Sequence, residues 1–258
     1  MSIVNRMKRV VPAVACASLM ALAPSAHAWE WNWGWGGKSV RGSGVMKTET
    51  RRVSGFTGIS MLIPGNVEVI QGTTEGISLE GDDNILPLVE TVVERGDLKI
   101  RFVEKNMSIS AKALRLIVNA KTVEGLSVAG SGELHAAKLQ SATLKANVAG
   151  SGDVSIATLD ADALTVSIAG SGNFTAGGKV KSIETKIAGS GDLKIGKLEG
   201  NSVKVSIAGS GDATVWAKES LTVSVAGSGD VKYYGDAKVS QSVAGSGSVT
   251  RLGSVPGV

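Results

Sequence analysis

The four residues Ala-Gly-Ser-Gly occur seven times, beginning at Ala129, Ala149, Ala169, Ala188, Ala208, Ala226 and Ala244. Successive copies are 20, 20, 19, 20, 18 and 18 residues apart. A period this short predicts a stack of like units, none of which can bury its apolar face alone.

Aligned on the alanine, the copies form columns. One residue before it stand Val128, Val148, Ile168, Ile187, Ile207, Val225 and Val243. Three before stand Leu126, Ala146, Val166, Thr185, Val205, Val223 and Gln241. Intervening residues such as Lys145, Ser167 and Lys186 are polar, so the run reads as a half-buried strand of period two. A second strand follows the phrase, with Leu134, Val154, Phe174, Leu193, Ala213, Val231 and Val249 in one inward column. Ala136, Ile156, Ala176, Ile195, Val215, Tyr233 and Arg251 form the next. A third anchor is expected at Leu139, Leu159, Val180 and Leu198.

The predicted fold is all-β: a parallel β-helix, or solenoid, of 18–20-residue coils. Gly-Ser-Gly is its corner, where missing side chains let backbones pass closely. At ~4.8 Å per coil, six intervals give a stack of about 29 Å. The right-handed form is expected because parallel crossovers favour it. Gln241 and Arg251 in apolar columns predict a polar cap on the last coil.

Upstream, residues 48–124 form a β-rich part without an evident repeat. Pro64-Gly65 reads as a turn, Val67 to Gln71 as a strand, and Ile85 to Leu88 as one helical turn. Glu94-Arg95-Gly96-Asp97 reads as the turn of a β-hairpin. The tripeptide Arg95-Gly96-Asp97 is the one integrins read, but a hairpin turn needs Gly and Asp at that place anyway.

Residues 1–28 predict a signal peptide: Arg6, Lys8 and Arg9, an apolar run from Val10 to Ala23, then Ala26-His27-Ala28. A lipoprotein box around Ala13-Val14-Ala15-Cys16 is the rival reading, though it holds Ala13 where such boxes carry Leu. Export removes three of the 27 cations, leaving 24 against 23 acids, so nucleic acid is not an expected partner. It also removes Cys16, the sole cysteine. His135 is then the only histidine, on an outward position, which leaves no His-based triad or multi-histidine metal site.

Residues 29–47 read as a Trp/Gly-rich tail and linker. Trp29, Trp31, Trp33 and Trp35 alternate with polar or small residues, so an extended chain would put the four indoles on one face. That stripe is a candidate contact for glycan, lipid headgroup or protein. The competing reading packs it on the chain's own sheet or leaves it as a tail.

One further column invites chemistry. Glu133, Asp153, Asp192, Asp212 and Asp230 follow their Gly-Ser-Gly corners. A file of carboxylates ~4.8 Å apart is a candidate calcium site, but an acid after glycine also suits hydrogen bonding within its own turn. No catalytic residue and no other cofactor is expected. Each corner is followed by a strand, which excludes a dinucleotide fingerprint.

Arg52-Val53-Ser54-Gly55-Phe56-Thr57-Gly58-Ile59, Val67-Glu68-Val69-Ile70-Gln71-Gly72, Gly96-Asp97-Leu98-Lys99-Ile100 and the tandem Val/Ile-Ala-Gly-Ser-Gly-Asp units resemble the GIN domain family, labelled an autotransporter adhesin head domain. The resemblance runs from about Thr48 to Ser248 and implies an exported β-helical envelope protein. It carries over no functional residues. The resulting expectation is a non-enzymatic protein of a bacterial periplasm or cell surface, with a binding, adhesion or structural role. Its partners would be an envelope component, glycan or protein, and it could form a homo-oligomer. The mature chain has no stretch apolar enough for a membrane span. The alternative is a polysaccharide-acting enzyme on the same scaffold, which would need two carboxylates flanking a cleft.

Overall fold

Along the repeat from Glu133 to Asp153 the alternation of buried and exposed side chains breaks three times. Between Glu133 and Gly150 the buried residues are Leu134 and Ala136, then Leu139, then Leu144, Ala146 and Val148. A strand keeps its alternation until it turns, so each break is a corner and each coil has three sides. A computed structural model describes residues 39–104, 107–110 and 114–254. The signal segment and Trp29, Trp31, Trp33 and Trp35 lie outside the described residues.

Eighteen strands build the described part. The first nine are β1 (Ser39–Arg41), β2 (Met46–Arg51), β3 (Gly58–Met61), β4 (Asn66–Gln71), β5 (Gly76–Asp82), β6 (Val89–Glu94), β7 (Asp97–Phe102), β8 (Ser108–Ser110) and β9 (Arg115–Ala120). The repeat supplies β10 (Gly125–Gly130), β11 (Glu133–Gly150), β12 (Asp153–Gly170), β13 (Asn173–Gly189), β14 (Leu193–Gly209), β15 (Ala213–Gly227), β16 (Val231–Tyr234), β17 (Lys238–Gly245) and β18 (Val249–Gly253).

The repeat is a parallel solenoid in which like residues stack on like. Val148, Ile168, Ile187, Ile207 and Val225 lie in register from β11 to β15, and so do the first glycines of the phrases. All five of those side chains are buried. Each is worth about 1.5–3 kcal/mol on full burial, which a single coil, lacking neighbours, could not realise. Thr185 is fully buried among them, and its hydroxyl donates to the Lys204 carbonyl at 3.2 Å. The phrase glycines are required on two grounds. Gly170 has φ +122°, and a Cβ on either Gly170 or Gly172 would overlap the backbone of the coil below.

The third anchors Leu139, Leu159, Val180 and Leu198 are all buried, but they do not form one column. Leu159 is in register with Gly178 and Gly178 with Leu198, whereas Val180 lies beside Ala161 and Gly200. The β13 coil is one residue shorter than β12 between Ala176 and Gly178, Gly178 takes the place of Leu159, and Val180 lies two residues beyond it.

The stack does not begin at the first Ala-Gly-Ser-Gly. β3 pairs in parallel with β10 on one side and β7 on the other; β4 pairs in parallel with β11 and β9. Ile59 therefore lies between Leu98 and Leu126, and Val67 between Leu116 and Leu134. The chain builds the inner coil (β3 and β4) first, then the outer one (β7 and β9), and returns past both to start β10. At this outer end the direction reverses: β6 runs antiparallel to β7, β5 to β9 and β2 to β5. The β6–β7 hairpin turns at Arg95 (φ 54°) and Gly96 (φ 81°), which agrees with the turn reading of Arg95-Gly96-Asp97. A 3-10 turn at Leu86–Leu88 meets the expected helical turn.

The opposite end is less closed than its sequence predicts. The Arg251 guanidinium does fold across the last coil, donating to the Gly235 carbonyl at 2.9 Å and to the Asp236 carboxylate. Yet Val243 is 38% and Leu252 45% exposed, and among the described residues β17 pairs only with β15.

Candidate functional site

Three surface features of the solenoid gather polar side chains, and the carboxylate column is the most regular. Asp153 Oδ1 accepts from the Asn173 backbone N–H at 2.9 Å and from its side-chain amide at 2.8 Å. Asn173 Oδ1 accepts from the Asp192 N–H at 3.3 Å. Asp192 accepts from the Asp212 N–H at 3.4 Å, Asp212 from the Asp230 N–H at 2.8 Å, and Asp230 from the Ser248 N–H at 2.9 Å. The side chains therefore bond the next coil, not their own turn as the sequence suggests. Each side-chain oxygen continues the ladder across a corner where the strand pairing lapses. The Ser248 hydroxyl, also donating to Asp230 at 2.7 Å, is the leading cause that holds the Asp230 carboxyl below its ordinary range, with the Lys232 charge adding to it. Glu133 starts the column, and its backbone N–H donates to the Gly65 carbonyl at 2.9 Å. Among the described residues, no group of three or more His, Cys, Asp or Glu side chains is placed to hold a metal ion. His135 is exposed, as expected of an outward position, beside Glu133 and Lys194 in a shallow recess of about 440 Å³.

The second feature is a polar groove of about 740 Å³ at the seam between the upstream coils and the repeat. β11 meets β4 only over Glu133–Ala136 and β10 only over Lys145–Gly150. The Gln71 side chain bridges the gap. It donates to the Lys121 and Gln140 carbonyls at 3.2 and 2.9 Å and accepts from the Gln140 N–H at 2.8 Å, as a strand would. Glu124, Asp160 and Asp162 share the groove, all exposed, and Asp162 is ion-paired with Lys181 at 2.7 Å. No aromatic side chain lines it. None of the three carboxylates has the apolar enclosure that keeps a general acid protonated.

The third feature is a groove of about 720 Å³ along β12 to β14. Its floor is Ile156, Ala157, Ala176, Gly177 and Gly178; Gly196 and Tyr234 close one end, and Lys194 and Lys197 stand at its rim. This is where the repeat changes length. Register shifts fall between Ile156 and Leu159, between Thr175 and Gly177, and between Ile195 and Glu199, whereas the Gly-Ser-Gly corners keep strict register. Residues lost from a corner draw it inward, and glycine leaves nothing to fill the space. A Cβ on Gly196 would press on Thr214 and on the Tyr234 ring. Sequence alignment on the alanine missed this groove. The unequal spacings and the pair Gly177-Gly178 were its signal.

The polar groove and the glycine groove each lie within the described chain, and neither includes the acid column. Among the described residues, no helix is long and apolar enough to cross a membrane.

Comparison with known proteins agrees with this architecture. The model of the family described as "Putative auto-transporter adhesin, head GIN domain" matches residues 55–237. A crystal structure from Parabacteroides distasonis, described as a "Putative lipid binding protein", is 26% identical with TM-score 0.70; the match covers 83% of this chain and 100% of that one. A "putative adhesin" from Bacteroides fragilis is also 26% identical, with TM-score 0.77 and the same coverage. A third, a "putative adhesin" from Parabacteroides merdae at 22% identity and TM-score 0.67, covers 83% and 99% and shares the fold. No curated protein matches the chain.

Proposed function

The chain belongs to the family of auto-transporter adhesin head GIN domains, and on that premise we propose that it is an exported protein of a bacterial periplasm or cell surface that works by binding rather than by catalysis. The observation that carries this reading is the glycine groove. Register shifts in three successive coils meet there, and its walls offer a tyrosine ring, small apolar residues and two lysines. Lys197 makes no ion pair among the described residues, so its charge is available to a ligand. Such a groove suits the apolar face of a glycan, lipid or peptide that carries an anionic group. Relatives described as an adhesin and a lipid-binding protein support the same class of role. The stripe Trp29, Trp31, Trp33 and Trp35 is a second contact in this reading. Self-association of the solenoid also belongs to it. The column Glu133, Asp153, Asp192, Asp212 and Asp230 serves mainly as a ladder between coils and takes calcium at most weakly.

The test is binding of residues 29–258 to a glycan array, to isolated envelopes and to phosphatidylglycerol vesicles. Tyr234→Ala with Lys197→Ala is expected to weaken binding about tenfold, the loss of one ring contact and one charge contact. Deletion of residues 29–35 is expected to weaken it further. Unchanged binding in both variants would sink the assignment.

The polar groove favours one second reading, a polysaccharide-acting enzyme, because it brings Glu124, Asp160 and Asp162 together. Release of reducing ends from envelope polysaccharide, abolished by Asp160→Asn or Glu124→Gln, would replace the binding reading with that one.

A further inference from the structure

β17 is the last long strand of the stack and, among the described residues, has a partner on one side only. In a parallel ladder both polar groups of a residue point to the same neighbour, and the side alternates along the strand. The Ser246 N–H bonds back to the Gly227 carbonyl at 3.0 Å. Counting back from it, Ser242 and Ser240 face β15, while Val243, Gln241 and Val239 turn their N–H and C=O groups to the open edge. Their side chains belong to the inward columns, so the same three residues also present Val243 and the half-buried Val239 to whatever covers the end.

We propose that a second copy of this chain covers it, in a two-fold, tail-to-tail dimer with β17 antiparallel to its counterpart and Gln241 on the axis. Three observations favour that occupant. The edge is self-complementary: with Gln241 opposite Gln241 of the other copy, Val239 meets Val243 and Val243 meets Val239. All six residues then exchange hydrogen bonds as facing pairs. Lys238, the only charge on β17, falls opposite Ala244, so no like charges meet. And the other end of the solenoid cannot serve as the mate. Its strand β6 is antiparallel to the stack, β2, reversed twice through β5, runs with it, and the two bear Lys47, Glu49, Arg51, Glu90 and Glu94. Charges of this kind block strand pairing at an edge. Association is therefore isologous and stops at two, with no route to a filament. This names the geometry of the self-association included above. It is independent of ligand binding at the groove, since its test reads mass and cross-linking.

The test uses residues 29–258, which contain no cysteine. Sedimentation velocity across a concentration series is expected to give a reversible monomer–dimer equilibrium. Gln241→Lys puts two like charges on the axis and is expected to leave only monomer, with an unchanged circular-dichroism spectrum because Gln241 is exposed in the single chain. Gln241→Cys is expected to form a disulfide-linked dimer under mild oxidation, since facing Cα atoms ~5.5 Å apart suit a disulfide. Exposed Thr222→Cys, one coil inward, is expected not to. The proposal is overturned if the chain is monomeric up to about 1 mM, if Gln241→Lys still dimerises, or if the two cysteine variants cross-link equally.

Discussion

The two ends of the solenoid meet the same problem with different chemistry. A stack of parallel coils exposes a row of unpaired backbone groups wherever it stops. At the upstream end the chain stops repetition by reversing direction: β5 and β6 run against β9 and β7, and β2 runs against β5. Side chains then tie the reversed strands down. Arg51 of β2 donates to the Leu86 and Val89 carbonyls and to Thr91, and pairs with Glu49. Arg101 pairs with Glu90 and Glu94, and Lys99 with Glu94 at 2.6 Å. At the downstream end β17 and β18 simply continue the parallel stack, and one arginine reaches over the final coil. A repeat can therefore be ended by reversed strands tied down with charged side chains, which interrupts the parallel stacking of coils. It can also be left open, which keeps the edge competent for pairing.

The contrast is sharpest at chemically equal positions. Gly172 and Gly247 both follow the serine of a phrase, and a Cβ on either would overlap a carbonyl oxygen of the coil below, on Gly152 and Gly229. Gly172 is also roofed: Gly191 of the next coil lies against its carbonyl. Its coil cannot move to relieve the overlap, whereas the coil of Gly247 can lift. Gly172→Ala is expected to cost more than about 4 kcal/mol, the range of severe backbone and packing lesions. Gly247→Ala is expected to cost about 1 kcal/mol. Urea unfolding followed by circular dichroism separates them. Equal losses would mean that the last coil is held as firmly as the interior.

The second pair compares the two arginines. Arg51→Met leaves the Leu86 and Val89 carbonyls without their charged donor, in a side chain only 19% exposed. Charge-assisted hydrogen bonds contribute about 1.5–3 kcal/mol each, so a loss of about 3 kcal/mol is expected. At 2–4 °C per kcal/mol this lowers Tm by about 6–12 °C. Arg251→Met breaks an ion pair whose carboxylate, on Asp236, is 71% exposed. Exposed pairs contribute about 0–1 kcal/mol, so Tm is expected to fall by no more than about 4 °C. A larger effect at Arg251 would reverse the ranking of the two ends.

Which end does what was only half legible in the residues. The repeat announces itself because Gly170 and its equivalents must lack side chains, and because the columns ending at Val148, Ile168 and Ile187 obey one period. The upstream coils escape notice because the inner one turns at Pro64-Gly65 in place of Gly-Ser-Gly and because the outer coil separates it from the repeat along the sequence, though not in space. Their spacing did hold a clue: Gly58 and Asn66 are eight residues apart, as are Gly125 and Glu133, with which they stack. The acid column was visible as a column, but its bonding direction was not. Whether Asp153 bonds its own turn or the next coil depends on where Asn173 lands, a property of stacking that no single turn contains. The glycine groove was hidden for a related reason. Alignment on the alanine absorbs insertions silently, and the lost residues sit at the far corner near Gly178.

The smallest expected effect concerns acid, and it tests whether the ladder is weaker toward the open end. At the last rung Ser248 donates twice to Asp230, by hydroxyl and by backbone, and these bonds hold the carboxyl below its ordinary value. At the closed end the Arg51 hydrogen bond lowers Glu49 in the same way, and the Lys99 hydrogen bond lowers Glu94. For a group whose pKa is depressed by folding, the folded state binds fewer protons than the unfolded one. Its stabilisation is then complete above the unfolded pKa and disappears as pH falls through the folded one. Ser248→Ala removes the leading donor and moves Asp230 back toward its ordinary value. The variant is therefore expected to be slightly less stable than the parent at neutral pH and to converge with it below the carboxylate range. Lys99→Met, which removes the leading donor to Glu94, is expected to converge over the same interval from a larger difference, because Lys99 also loses a charge contact. Thermal unfolding of both variants across an acid series reads the two gaps directly. A gap for Ser248→Ala that persists into strong acid would show that the hydroxyl acts through packing rather than through the Asp230 carboxylate.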